Sequence, residues 1–207
     1  MKDMLDEIVS YKKIEVAEKK QLIPIEQLER IIEQLPRKHL SLKDALLVSD
    51  SGIISEFKRK SPSKGWIKQD GDAEIITKGY KKNGAAALSV LTDRKFFGGS
   101  LNDLRDVRNV VNIPIMRKEF IIDEYQIYEA ASVGADAILL IAASISKEQS
   151  LHFTRLAHSL KMEVLLELHD EKETEYISEL NSIIGINNRN LGTFETNVQK
   201  SFYMIDL

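Results

Sequence analysis

The chain has 207 residues, and 43% of them are hydrophobic, which is typical of a folded globular protein and argues against intrinsic disorder. Its 29 Lys and Arg residues are nearly balanced by 32 Asp and Glu residues, so no general positive field favours nucleic acid or an anionic membrane. The absence of cysteine excludes disulfides, thiolate nucleophiles and cysteine-ligated metal centres. No apolar run approaches the roughly 18 residues that span a bilayer, and residues 1–4 do not resemble a signal peptide, so we expect a cytoplasmic protein.

Residues 1–47 are predicted to form a helical extension to the rest of the chain. Apolar residues, among them Leu5 and Ile8, recur among charged residues at the spacing of a helix face. Pro24 and Pro36 are expected to mark helix boundaries, because proline is poorly tolerated inside a helix.

Residues 48–207 alternate between short apolar runs and longer amphipathic stretches, which we interpret as one α/β domain of repeated strand and helix units. Six runs are predicted to be strands, at residues 52–57, 87–91, 113–116, 137–141, 164–168 and 183–186. The stretches between them match the crossover helices of a parallel sheet. Ser146 and Gln149 form a capping-box pattern before one helix, and Gly84 and Gly134 are placed to end two others.

The turn after the first predicted strand favours a barrel over an open sheet. An open doubly wound sheet usually carries a glycine-rich, phosphate-binding turn at this position, and residues 58–62 (KRKSP) contain no glycine. In either architecture the functional residues lie at the carboxyl ends of the strands.

Ionisable or amide side chains lie at or just beyond the ends of the predicted strands. They are Glu56, Lys58, Lys118, Glu167, Asn187 and Arg189. Because side chains alternate between the two faces of a strand, Glu56 and Lys58 share one face. If that face points inward, these groups meet at one mouth of a barrel, where their proximity suits proton-transfer chemistry. The alternative, for any of these residues taken alone, is the first solvated position of a loop.

Two other polar groups near the strand ends allow two interpretations each. His169 and Asp170 are either a base with its orienting carboxylate or, as their place beyond the fifth strand favours, part of a solvated loop or helix start. Arg59, Lys60 and Lys64 are either a phosphate-binding patch or a charged turn.

Two phenylalanines also lie close to the strand ends. Phe97 follows the second predicted strand, and Phe120 follows Lys118 by two residues. They either pack loops onto helices or form an apolar wall for an aromatic ring of a substrate.

Several motifs occur in a fixed order along the chain. They are residues 54–65 (ISEFKRKSPSKG), 89–93 (SVLTD), 96–100 (FFGGS), 114–120 (PIMRKEF), 166–170 (LELHD) and 184–191 (IGINNRNL). In this order they closely resemble the signature of the indole-3-glycerol phosphate synthase family. The resemblance covers nearly the whole chain, including the N-terminal helices.

The resemblance implies a TIM-type (βα)8 barrel with an N-terminal helical extension and a carboxy-lyase activity in tryptophan biosynthesis. The family converts 1-(2-carboxyphenylamino)-1-deoxyribulose 5-phosphate to indole-3-glycerol phosphate, with release of CO2 and water and without a metal or organic cofactor. The implied partner is therefore a small phosphorylated substrate, with no nucleic acid and no membrane.

The same resemblance implies roles for the candidate residues. Lys118 would be the general acid that protonates the substrate carbonyl during ring closure, and Glu167 the acid/base partner in the later dehydration. Lys58 would hold the substrate carboxylate and assist proton transfer, while Glu56 and Asn187 would orient these groups and the substrate hydroxyls. The substrate-binding residues would be Ser61 at the phosphate, Arg189 in supporting electrostatics, and Phe97 and Phe120 at the anthranilate ring.

The family pattern continues beyond residue 207 with a seventh and an eighth βα unit, and we expect those last two units to be missing here. Because barrels commonly bind phosphate with the loops after strands seven and eight, Ser61 would lose most of its partners. The first and sixth strands would become exposed edges through which chains could associate. We therefore expect weak or no turnover from this chain alone.

Two alternative functions stay open. A catalytically incompetent barrel fragment that associates through its exposed edges would have the fold without the activity. A sugar-phosphate isomerase of the phosphoribosylanthranilate type would share the barrel and an anthranilate-bearing substrate. The lack of cysteine counts against the isomerase, because such enzymes often use a thiol base.

Overall fold

The computed structural model describes residues 4–36, 40–189 and 196–205. A parallel sheet of six strands, curled into a half-barrel, forms its centre. In spatial order, which is also their order along the chain, the strands are β1 (Ile54–Phe57), β4 (Ala87–Leu91), β5 (Ile115–Lys118), β6 (Ala137–Ile141), β7 (Glu163–Leu168) and β8 (Ile183–Ile186). The predicted parallel α/β architecture is confirmed. A short antiparallel hairpin, β2 (Lys60–Ser61) with β3 (Gly65–Trp66), follows β1 and was not predicted.

Helices connect the strands and cover the sheet. The α-helices of the described residues are α1 (Met4–Leu22), α2 (Ile25–Gln34), α3 (Leu42–Val48), α4 (Ala73–Lys82), α5 (Arg94–Phe97), α6 (Leu101–Val110), α7 (Tyr125–Ser132), α8 (Lys147–Ser159) and α9 (Val198–Ile205). A 3-10 helix, Glu171–Tyr176, lies between β7 and β8. Each step from β4 to β7 crosses through an α-helix, as parallel neighbours require.

The limits of three strands differ from those predicted, and one of them, β7, differs by a single residue because it begins at Glu163 rather than at residue 164. β1 begins at Ile54 rather than at residue 52, because Gly52 has a left-handed φ of 58° in the connection between α3 and the strand. The strand predicted at residues 113–116 runs from Ile115 to Lys118, two residues later. Lys118 is therefore the last residue of its strand and has the defined inward direction of a strand residue.

The local helix signals are confirmed. The Ser146 side chain accepts a hydrogen bond from the backbone of Gln149, and the Gln149 side chain accepts one from the backbone of Ser146, so both halves of the capping box are present. Gly84 and Gly134 adopt φ angles of 88° and 82°, the left-handed conformation that ends a helix without strain only at glycine.

The parallel register determines which side chains face into the half-barrel. Glu56 of β1 lies opposite Ser89 of β4, which lies opposite Met116 of β5. The apolar residues of this inward face form one cluster: Ile54, Ala87, Met116, Ala137, Leu139, Ile141, Leu165 and Ile183. The alternate residues of the same strands pack against the surrounding helices in a second, larger cluster. The sheet is thus apolar on both faces, and its inward polar residues lie mainly near the strand ends.

The helices of the N-terminal segment close the two ends of this interior. Leu5 and Ile8 of α1 join the inward cluster. At the amino ends of the strands, the Glu163 side chain of β7 accepts hydrogen bonds from the backbone nitrogens of Leu42 (2.5 Å) and Lys43 (3.0 Å) at the start of α3. A carboxylate at a helix N-terminus satisfies free N–H groups and the helix dipole. The predicted helices are confirmed, and the division into an extension (1–47) and a barrel domain (48–207) stays a prediction.

A buried lysine ties α1 to the loops that follow β4 and β5. Lys12 Nζ lies 2.8 Å from Asp93 and 3.1 Å from Glu119, and the three side chains are almost completely buried. Burial alone would lower the pKa of Lys12, but Glu119, Asp93 and Glu15 outweigh it and raise the pKa above its ordinary value. Lys12 is therefore a permanent cation that neutralises two buried carboxylates.

We expect Lys12→Met to lower the free energy of unfolding by about 3–5 kcal/mol, because it removes the cation that the buried Asp93 and Glu119 share and leaves Glu119 with its longer, 3.5 Å contact to Arg117. Urea unfolding followed by circular dichroism measures this loss. The control is Lys20→Met on the same helix, which breaks the partly exposed ion pair with Asp123 and should cost at most about 1 kcal/mol. Equal losses in the two variants would contradict the structural role of Lys12.

Candidate active site

One cavity of about 390 Å³ opens at the carboxyl ends of the strands, and all of the predicted site residues line it. They are Glu56, Lys58, Ser61, Phe97, Lys118, Phe120, Glu167, Asn187 and Arg189. The structure therefore brings together side chains that the sequence places on separate strands and loops.

The strand register explains this convergence. Ile141 of β6 lies opposite Glu167 of β7, which lies opposite Gly185 of β8, so Glu167 shares the inward face and Asn187 follows on that face two residues after Gly185. Lys118 stands two residues beyond the inward Met116 and faces the same way. Each polar residue thus continues an inward apolar row by one step.

Glu167 is the centre of the polar side of the cavity. Its Oε2 accepts a hydrogen bond from Lys118 Nζ at 3.0 Å, and its Oε1 accepts one from Asn187 Nδ2 at 3.1 Å. The Nε2 atom of His169 lies 3.3 Å from the same Oε1. Burial by itself would raise the pKa of Glu167, but His169, Lys118 and Asn187 together lower it to about 2. Glu167 is therefore a carboxylate throughout the neutral pH range.

A second ion pair lies at the start of the sheet. Lys58 Nζ donates a hydrogen bond to Glu56 Oε1, and about a third of each side chain is exposed. The two residues are separated by one position, as two neighbours on the same face of a strand should be. This pair is more accessible to a ligand than the buried Glu167.

The other side of the cavity is apolar. The rings of Phe97 and Phe120 lie 5.9 Å apart with an interplanar angle of 36°. Leu5 and Ile8 of α1 complete the wall. The sequence allowed either loop packing or an apolar wall for Phe97 and Phe120, and the structure places both in an apolar wall. The adjacent Phe96 is instead buried in the apolar cluster of the inward face. The participation of α1 was not predicted, because nothing local to its sequence identifies its long-range neighbours.

The aromatic wall is fixed by the same carboxylates that surround Lys12. Asp93 Oδ1 accepts hydrogen bonds from the backbone nitrogens of Phe96 at 2.7 Å and Phe97 at 3.3 Å. Glu119 Oε1 accepts one from the backbone nitrogen of Phe120 at 2.9 Å. These two carboxylates therefore hold the backbones of the loops that follow β4 and β5.

Ser61, Lys64 and Arg189 line the edge of the cavity near the β2–β3 hairpin. The Ser61 hydroxyl accepts a hydrogen bond from the backbone nitrogen of Lys64 at 3.2 Å. Arg189 Nη2 lies 3.3 Å from Ser63 Oγ in the same turn. This edge combines two cations and two hydroxyls, the groups that bind an anion.

Arg59 and Lys60 do not contribute to that edge, which corrects one interpretation of the sequence. The Arg59 guanidinium makes two hydrogen bonds of 2.7 Å to Asp103 of α6, and Lys60 Nζ donates to the carbonyl of Lys95. Only Lys64 of the predicted charged group lines the cavity. Arg59 instead ties the first loop of the barrel to a helix.

The preference for a solvated His169 was wrong. Only 12% of its side chain is exposed, because the ring turns back between Glu167 and Glu173. The expectation of a helix start nearby is correct, since Asp170 caps the 3-10 helix. Extending the alternation of β7 by one step, from Glu167 to His169, would have placed the histidine on the inward face.

Within residues 4–36, 40–189 and 196–205, no group of three or more His, Asp or Glu side chains is arranged to hold a metal ion. Across the same part of the chain, no helix combines the length and the apolar character needed to cross a membrane.

A comparison with solved structures supports the fold. The crystal structure of mandelate oxidase with benzoyl-formic acid superimposes on 72% of this chain and 52% of its own, with a TM-score of 0.50 and 12% sequence identity. At this identity the similarity concerns the architecture and carries no information about the site.

Sequence comparisons are more specific. Indole-3-glycerol phosphate synthase of Bacteroides thetaiotaomicron is 56% identical over 202 residues, which are 98% of this chain and 77% of that protein. The enzymes of the same name from Prochlorococcus marinus subsp. pastoris and Neisseria meningitidis serogroup C are 45% and 42% identical, and the matches cover 97% and 99% of this chain and 69% and 80% of those proteins. A family model described as indole-3-glycerol phosphate synthase matches residues 5–207. The chain therefore belongs to the indole-3-glycerol phosphate synthase family.

Proposed function

We propose that the protein catalyses the indole-3-glycerol phosphate synthase reaction of tryptophan biosynthesis and is thus a carbon-carbon lyase. The substrate is 1-(2-carboxyphenylamino)-1-deoxyribulose 5-phosphate, and the products are indole-3-glycerol phosphate, CO2 and water. The observation that carries this proposal is the contact of Lys118 with Glu167 in a cavity walled by Phe97 and Phe120, in a chain of this family.

Ring closure is the step assigned to Lys118. A bond forms between the aromatic carbon that bears the carboxylate and the ketone carbon of the sugar chain, and the ketone oxygen gains negative charge. An ammonium group stabilises this charge and protonates the oxygen. The contact of Lys118 with Glu167 at 3.0 Å supports this assignment, because it directs the ammonium group along the cavity wall.

Decarboxylation and dehydration complete the reaction. Loss of CO2 breaks the bond to the substrate carboxylate and restores the aromatic ring. The hydroxyl formed from the ketone then leaves as water, while the neighbouring carbon loses a proton. Glu167, which lines the cavity as a carboxylate, is the base that accepts that proton. Lys58, beside Glu56, holds the substrate carboxylate and then assists protonation of the leaving hydroxyl.

The remaining lining residues position the two ends of the substrate. Phe97 and Phe120 bind the anthranilate ring, and Asn187 orients Glu167 and a substrate hydroxyl. The phosphate lies at the edge formed by Ser61 and Arg189, where hydroxyl and cationic groups are available.

Formation of the indole product, followed by its fluorescence, separates this function from the two alternatives. An incompetent fragment would yield no product, and an isomerase would act on phosphoribosylanthranilate instead. Reduced turnover by this chain alone is a further proposal that the same assay tests.

β1 and β8 each pair with one neighbour in the described part of the sheet. Self-association of chains through these two edge strands stays a proposal, and sedimentation experiments test it.

We expect Lys118→Ala to lower kcat by about 10²–10⁴-fold, with a much smaller change in KM, because the general acid is lost while the aromatic and phosphate contacts remain. Steady-state kinetics with the indole fluorescence assay measure both constants. Lys82→Ala, on an exposed face of α4, is the control and should leave both constants unchanged. An unchanged kcat in the Lys118 variant would show that the general acid is elsewhere.

We expect Phe97→Leu to raise KM by roughly 3–10-fold with little change in kcat, because a ring contact worth about 0.5–1.5 kcal/mol is lost from binding alone. The same assay over a range of substrate concentrations measures this effect. Phe202→Leu, at an exposed position of α9, is the matched control. A large fall in kcat without a change in KM would contradict a binding role for Phe97.

A further inference from the structure

His169 lies behind the active site rather than in it. It does not line the cavity, and its connection to the cavity runs through Glu167, whose Oε1 is 3.3 Å from His169 Nε2. On the opposite side of the ring, Nδ1 lies 3.7 Å from Glu173 Oε2. Neither ring nitrogen has a hydrogen bond of good geometry within the described residues, so both contacts are chiefly electrostatic.

The position of Glu173 is itself fixed. Its Oε2 accepts a hydrogen bond from the backbone nitrogen of His169 at 2.5 Å. Asp170 caps the first turn of the 3-10 helix by accepting from the backbone nitrogens of Lys172 and Glu173. The 3-10 helix therefore keeps the Glu173 carboxylate next to the His169 ring.

These residues form a row of alternating charge. It runs from Lys118 of β5 through Glu167 of β7 and His169 to Glu173 of the 3-10 helix. Burial disfavours the charged ring, but Glu167 and Glu173 outweigh this effect and raise the pKa of His169 to about 9. The imidazole is therefore doubly protonated at neutral pH.

Other charged groups of the neighbouring elements are engaged elsewhere. Lys147 of α8 pairs with the exposed Glu175, and Tyr203 of α9 donates a hydrogen bond to Glu171. Among the residues that the structure describes, Glu167 and Glu173 are thus the charged groups in contact with the ring.

We propose that His169 is a positioning residue of the reaction: its buried cation, held by Glu173, keeps Glu167 ionised and directed toward Lys118 when Lys118 gives up its proton. This inference rests on the proposed function. Before proton transfer, the Glu167 carboxylate is balanced by two cations, Lys118 and His169. After transfer Lys118 is neutral, and His169 is the remaining cation in contact with that carboxylate.

The charge of His169 therefore favours the transfer. Without it, Glu167 would be a buried carboxylate paired only with Lys118 and the neutral Asn187, and neutralising Lys118 would leave the carboxylate without a cation.

The pH range over which this arrangement exists follows from the two pKa shifts. The pKa of His169 is raised from 6.5 to about 9, so its contribution to stability is complete below pH 6.5 and is lost as the pH rises through 9. The pKa of Glu167 is lowered from 4.5 to about 2, so its contribution is complete above pH 4.5 and is lost as the pH falls through 2. The Glu167 carboxylate and the His169 cation are therefore present together between about pH 2 and about pH 9.

Kinetics of His169→Gln test the proposal. We expect kcat at pH 7 to fall about tenfold or more with little change in KM, and the acid limb of the kcat profile to move up by at least about one pH unit as the pKa of Glu167 rises. His152→Gln is the matched control, because His152 also pairs with a glutamate, Glu124 at 3.0 Å, but is exposed on α8. A kcat profile of His169→Gln that matches the control would overturn the proposal.

A measurement independent of turnover separates this inference from the proposed function. We expect the His169 ring, followed by ¹⁵N NMR in the unmodified 207-residue chain, to titrate near pH 9, and its pKa to fall by one unit or more in Glu173→Gln. A ring that titrates at or below pH 6.5 would overturn the inference whatever the activity. A chain that shows the expected titration but gives no indole product would instead contradict the proposed function.

Discussion

The constraint on which the site depends is the register of six parallel strands. Each strand turns every second side chain inward, and the pairing of each strand with the next fixes which inward residues are neighbours. Lys118, Glu167 and Asn187 extend three of these rows beyond the apolar layer. The hydrogen bonds of the sheet bring the backbones of these three residues close together, and this is sufficient for their side chains to meet.

Two buried groups of charges serve different purposes in this fold. In the cluster of Lys12, Asp93 and Glu119 the side chains are almost completely buried and the lysine does not line the cavity, so its ion pairs hold the loops beneath the aromatic wall. The group around Glu167 is similar in composition but borders the cavity. Its lysine is therefore available to a ligand. Access to the cavity, rather than charge, distinguishes a structural ion pair from a reactive one.

The sequence predicted the parallel α/β architecture and the convergence of the polar residues, because both depend on periodic patterns within single strands. It did not predict the exact limits of β1 and β5, the small hairpin, or the contribution of Leu5 and Ile8 to the cavity. These features depend on turns and on contacts between distant segments. His169 was misjudged for a different reason: its position past the strand suggested solvent, whereas two glutamates make a buried imidazolium stable.

Glu163 and Glu167 lie on the same face of β7, four residues apart, and anchor opposite ends of the strand. Glu163 is bound to the start of α3, and Glu167 to Lys118 and Asn187. The smallest slip of β7 that keeps its apolar residues inward is two residues, a displacement of roughly 7 Å. Such a slip would separate Glu163 from α3 and Glu167 from Lys118 and Asn187 at once. These contacts therefore fix the position of β7 along its own axis, in addition to the hydrogen bonds that hold it between its neighbours. Pairings of β7 in a shifted register are less stable during folding.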